Sequence, residues 1–254
     1  MTRDDRRVTA VTDYMPDQSS DVMHGDVVLS LAQCCGVAEA NAHRITSEFA
    51  GPYERSRSSQ EAIDVLLAVI GRCADARHPF SYLSVPLTTG RAYIELRARE
   101  VAAGSHNSAE VKAERQRTVS HNRRRAYETA KRLRAKIVGM VIDPSRFTDV
   151  PGWEQPDYHA FWTKVINRYA EEVFFLEGWQ YSVGCTIEFS TAVKLGLPTM
   201  TTDLAALNAL TGLELVRAAV REYVEIGLDP QPLSSALSIS ERDLVKSRSS
   251  SAGD

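Results

Sequence analysis

The stretch SVGCTIEFSTAVKLGLPT, from Ser182 to Thr199, holds residues well spaced for chemistry. Ser182 and Gly184 fall in a turn after a predicted strand and just before a predicted helix. Backbone N–H groups at a helix start have no intrahelical partners, and the dipole there favours an anion. Gly184 lets a ligand approach the backbone closely, Ser182 offers a hydroxyl donor, and Glu188 follows within the first turn or so of the helix. An ordinary helix start also uses such residues, with Ser182 as its cap and Glu188 complementing the dipole. The local sequence leaves both roles open.

A second segment, YLSVPLTTGR from Tyr82 to Arg91, also ends a strand. Gly90 at the turn can bring the backbone near a phosphate, and Arg91 supplies a fork of donors for it. An ordinary turn followed by a solvated arginine fits the same letters. Asp157 follows Pro156 at a predicted helix start and suits an N-cap. Trp153, Tyr158, Trp179 and Tyr181 fall in predicted loops, where one or two could wall a flat ligand and the others pack. His121 and Asn122 open the basic run HNRRRAYETAKRLRAK. Asn122 is expected as an N-cap and Arg123, Arg124 and Arg125 as a solvated face, or alternatively as a lure for phosphate. No HExxH, Walker loop or clustered His/Asp set points to a metal, and no cofactor is implied.

The elements that must position these residues alternate. Strands are predicted over 80–87, 137–144 and 173–176, and the stretch 195–200 reads as helix end, Gly cap and fourth strand. Helices are predicted over 91–103, through the basic stretch to 135, and over 157–170, 186–195 and 202–226. This alternation predicts an α/β fold: a parallel Rossmann-like (flavodoxin-like) sheet with helices on both faces. Earlier helices, 26–49 with a break at Gly36 and 59–76, predict an added N-terminal helical layer. The organisation expected is a loose tail over 1–21, a helical extension over 22–78, a nucleotide-pocket domain over 79–228 and a second loose tail over 229–254. In such sheets ligands sit beyond the carboxyl ends of the strands, here the segments 87–91, 143–158, 177–188 and 200–203, which hold most of the residues named above.

The chain of 254 residues is 43% hydrophobic and 25% charged, ordinary values for a globular protein, and its formal net charge of -3 gives no global case for nucleic-acid or membrane binding. The four cysteines lack zinc or CxxC spacing, and Cys34 and Cys35 read as small apolar helix residues. The N-terminus has no apolar run of the signal-peptide kind, so a reducing cytoplasm is the expected compartment.

Taken together, Tyr82 to Arg91 and the pattern Ser182-x-Gly184-x-x-x-Glu188, followed by Ala192, Leu195-Gly196 and Pro198, resemble the nucleoside 2-deoxyribosyltransferase superfamily. The likeness spans about residues 80–203 and is nearer the branch of 2′-deoxynucleoside 5′-phosphate N-hydrolases and CMP N-glycosidases. That branch typically carries Ser where the transferases carry Asp, six positions before the catalytic Glu, and here the position is Ser182. The resemblance implies a small-molecule nucleotide as partner and cleavage of its base–sugar bond. Glu188 would be the nucleophile at C1′ and Asp157 the helper that protonates the base or activates water. Tyr82, Gly90, Arg91, Ser182 and Gly184 would bind substrate and phosphate. It also implies a homo-oligomer, commonly with pockets completed by a neighbouring subunit. A non-catalytic nucleotide sensor on the same fold is the rival reading, and transfer to a second base is a variant of the first.

Overall fold

The computed structural model describes residues 24–74, 80–104 and 109–251, so the tail expected over 1–21 lies outside them. Four strands form one all-parallel sheet: β1 (Phe80–Ser84), β2 (Met140–Ile142), β3 (Glu172–Phe175) and β4 (Thr199–Thr201). Their order is β2-β1-β3-β4. The chain therefore steps outward from β1 to β2, then crosses back to the other side of β1 to lay down β3. That reversal opens a crevice between the carboxyl ends of β1 and β3, the position where doubly wound sheets bind ligands.

The helices are α1 (His24–Cys34), α2 (Glu39–Glu54), α3 (Ser59–Cys73), α4 (Arg91–Ala103), α5 (Ala109–Arg134), α6 (Gln155–Tyr169), α7 (Val183–Lys194), α8 (Ala209–Glu225) and α9 (Gln231–Ser251). Both faces of the sheet are covered, and strand alternation decides which side chain goes where. Phe80 and Tyr82 join Ile142, Val173 and Phe175 in a core shared with α1–α3, α6 and α7. Leu83 and Val85 join Val141, Phe174 and Leu176 under Ala126, Ala130 and Leu133 of α5. The N-terminal layer is built into the first of these cores. The last carbonyl of α1, Cys34 O, accepts from the Asp143 amide at 3.0 Å and from Arg134 Nη2 at 3.0 Å. Among the described residues no helix is long and apolar enough to cross a membrane.

Three expectations need correction. The loose tail expected from 229 is instead α9, which packs along α7 and α8. Leu233, Ala236, Leu237 and Ser240 are its buried stripe, at the i, i+3, i+4, i+7 spacing of one helix face. Asp229 helps to start it by accepting from the Gln231 amide at 2.9 Å. Asn122 is no cap: it lies inside α5, buried, and its Nδ2 donates to Leu87 O at 3.1 Å and Thr89 O at 2.9 Å. It thereby ties the turn after β1 to α5. The helix expected from 202 begins at Ala209, because residues 201–207 fold back on β4. Thr201 N–H donates to Ala205 O at 2.8 Å and Leu207 N–H to Thr199 O at 2.8 Å.

Candidate active site

Glu188 lies on α7 directly beside β1. Tyr82 and Ser84 are two apart on that strand and so share its α7-facing side. The Tyr82 hydroxyl donates to Glu188 Oε1 at 2.7 Å and the Ser84 hydroxyl donates to Oε2 at 2.6 Å. Each carboxylate oxygen thus has one neutral donor, and no Lys or Arg pairs with Glu188 among the described residues. Burial pushes the Glu188 carboxyl up from 4.5 to about 7, and the Ser84 and Tyr82 hydroxyls only partly offset it. Burial also drives the Tyr82 phenol well above its usual range, with the Glu188 charge adding to the rise, so Tyr82 stays a donor.

The turn before α7 behaves as the sequence suggests it should. Ser182 is the N-cap, its Oγ accepting from Cys185 N–H at 3.4 Å. Gly184 faces α6. A Cβ at that position would stand 3.3 Å from His159 Nε2 and 3.8 Å from Ser182 Oγ, so the missing side chain is what lets the imidazole come up to the start of α7. One helical turn separates Gly184 from Glu188, which puts them on the same face. A second path leads back the same way: Trp162 sits one turn beyond His159 on α6, and its ring centroid is 5.8 Å from that of Tyr82. His159 at Gly184 and Trp162 at Tyr82 are thus two close approaches of α6 to the elements that hold Glu188. Burial lowers the half-buried His159 imidazole below its usual range.

Other expected residues fall elsewhere. Asp157 is at the third position of α6 and closes a capping box with Glu154, its Oδ2 accepting from Glu154 N–H at 2.9 Å. Gly90 takes a φ of +94° in the turn before α4. Arg91 points to a separate polar cluster: Nη1 donates to Tyr181 Oη at 2.9 Å, Nε lies 3.1 Å from Glu95 and Nη2 lies 3.4 Å from Glu222. The loop aromatics are structural. Trp153 packs on Phe147, Phe161 and Tyr158, and Trp179 packs on Phe175 and Phe189. The Tyr158 hydroxyl accepts from Val150 N–H at 2.8 Å.

Ser84 and His159 were not singled out from the sequence. Ser84 carries a readable signal, since strand alternation places it with Tyr82. His159 carries only its spacing to Trp162 on α6.

An open cavity of ≈ 850 Å³ lies apart from Glu188, between α5 and the ends of β3 and β4. Arg124, Arg125 and Arg132 line it, opposed by Glu128, Glu177 and Asp203. Arg125 already lies 3.4 Å from Glu177, so basic and acidic side chains face each other there. Among the described residues no group of three His, Cys, Asp or Glu side chains is placed to hold a metal ion. Searches among protein-family models, curated proteins and solved structures find no match to this chain.

Proposed function

We propose that the protein is an N-glycosidase that cleaves the base–sugar bond of a nucleoside 5′-monophosphate, with Glu188 as nucleophile. The observation that carries this reading is the enclosed Glu188 carboxylate at the carboxyl end of β1. It is held by two hydroxyls, and among the described residues no cation pairs with it. A buried carboxylate without a counter-ion costs stability, and such costs concentrate at functional sites. Two neutral donors orient the group while leaving it nucleophilic, whereas a paired arginine would hold its charge back.

In the first half of the reaction a Glu188 oxygen bonds to C1′ while the C1′–N bond breaks and its electron pair leaves with the base. In the second half water replaces Glu188 at C1′. The amides at the start of α7 and the Ser182 hydroxyl lie one turn away, on the side where an anionic 5′-phosphate gains from the helix dipole.

The test is chromatography for free base after incubation with a panel of nucleosides and their 5′-monophosphates. Monophosphates are expected to be turned over with higher kcat/KM, and folded Glu188→Ala protein to release no base. Normal turnover by that variant would remove the assignment. Ligand binding without base release by the wild type would instead support the sensor.

A further inference from the structure

We propose that His159, and not Asp157, is the proton carrier of this site, giving a proton to the departing base and then taking one from the attacking water. The inference rests on the glycosidase reading of Glu188.

Three observations converge on it. Gly184 clears the space into which the imidazole reaches, with Nε2 only 3.3 Å from where a Cβ would be. Helix α6 meets the elements that hold Glu188 at two points, His159 against Gly184 one turn from Glu188 on α7, and Trp162 against Tyr82, whose hydroxyl bonds Glu188. Among the described residues no hydrogen bond or ion pair engages either ring nitrogen, so the half-buried imidazole has no structural duty that fixes it. Asp157 differs on the last point: its carboxylate is occupied in the capping box of α6.

The proton balance closes over one turnover. Protonated His159 donates to the base as the C1′–N bond breaks and Glu188 bonds to C1′. Neutral His159 then removes a proton from water as its oxygen bonds to C1′, and the C1′–O bond to Glu188 breaks with its electron pair returning to the carboxylate. One group serving as acid and then as base is the logic of retaining glycoside cleavage. Burial lowers the basicity of the imidazole, which suits a group that must release its proton as readily as it takes one.

The experiment compares wild type, His159→Ala and Gly184→Ala on two kinds of substrate. One is the nucleoside monophosphate turned over fastest. The other is a 4-nitrophenyl riboside 5′-phosphate or its 2-deoxy counterpart, whose leaving group needs no proton. For the natural base, His159→Ala is expected to lose about 100-fold or more in kcat. With the nitrophenyl substrate it should give a rapid burst of nitrophenolate equal to the enzyme present, then slow steady turnover while a glycosyl–Glu188 adduct accumulates in intact-mass spectra. Added imidazole should restore turnover to His159→Ala. Gly184→Ala keeps the histidine but displaces it, and should show the same pattern more weakly.

Equal losses on both substrates without a burst would mean that His159 only supports the fold, and unchanged kinetics would remove it from the mechanism. Either result leaves Glu188 standing. Failure of the wild type to release base from any monophosphate would overturn the glycosidase reading and the role of His159 together.

Discussion

Glu188 makes the protein's stability depend on pH in a direction opposite to that of most carboxylates. Its folded pKa is raised from 4.5 to about 7, chiefly by burial. Below about pH 4.5 the group is protonated in both folded and unfolded chains. Between there and about pH 7 the folded protein keeps a proton that the unfolded chain has lost, so stability falls as pH rises. Above about pH 7 both forms are ionised and the folded state carries the full penalty, about 3–4 kcal/mol. Glu188→Gln removes that penalty while filling the same space. Urea unfolding should therefore show the variant gaining about 3–4 kcal/mol relative to wild type between about pH 4 and pH 8. A difference that does not vary with pH would mean the carboxylate is better solvated than its position beside Tyr82 and Ser84 implies. The same pKa bears on catalysis: with Glu188 attacking as the carboxylate and His159 donating as the acid, kcat/KM for the natural base should be bell-shaped in pH, whereas for the nitrophenyl substrate, which needs no proton, it should climb and level off above about 7.

Among the elements, α7 is held most exactingly where α8 crosses it. Gly212 of α8 lies against Phe189, and a Cβ on that glycine would stand only 2.1 Å from the ring. Phe189 cannot move aside, because Phe175 and Trp179 pack on it at 5.5 Å and 4.8 Å between centroids. Gly212→Ala should thus destabilise by about 3 kcal/mol in denaturant unfolding, although alanine favours a helix by about 1 kcal/mol. A neutral result would show that the two helices can slide apart. Interactions of this kind mark the limit of what the sequence makes legible. The strands and most helices were readable because apolar runs and 3.6-residue periodicity are local. The Ser182 cap and the Glu188 helix were readable for the same reason. The α9 stripe of Leu233, Ala236, Leu237 and Ser240 was equally local, but its serine-rich surroundings concealed it. Asn122 was read as a cap because its real partners, the carbonyls of Leu87 and Thr89, are more than thirty residues away in the chain. The approach of His159 to Gly184 depends on how α6 meets α7, which no single segment encodes.

At the scale of the whole molecule, α9 backs the helix that carries Glu188. Leu233 and Leu237 are buried there and contribute about 1.5–3 kcal/mol each. Ending the chain at Asp229 should cost on the order of 4 kcal/mol and lower the urea midpoint accordingly. An unchanged midpoint would make α9 a passenger. Leu210, Leu215 and Val224 remain exposed on α8, on different sides of the helix and among the exposed charges Glu214, Arg217, Arg221 and Glu225. The homo-oligomer that the family resemblance implies would most simply be a twofold dimer, for which light scattering at micromolar concentration should give twice the chain mass. A monomer mass with full activity on dilution would mean each chain builds its own site. The distance along the chain between the two halves of the site sets an order of events during synthesis. Tyr82 and Ser84 emerge from the ribosome about a hundred residues ahead of Glu188, and the helix backing Glu188 follows later still. Until then the crevice edge of β1 waits without its partner, open to chaperones and to other nascent chains. The surroundings of Glu188 are therefore complete only once the segment that forms α9 has been made and has packed behind α7.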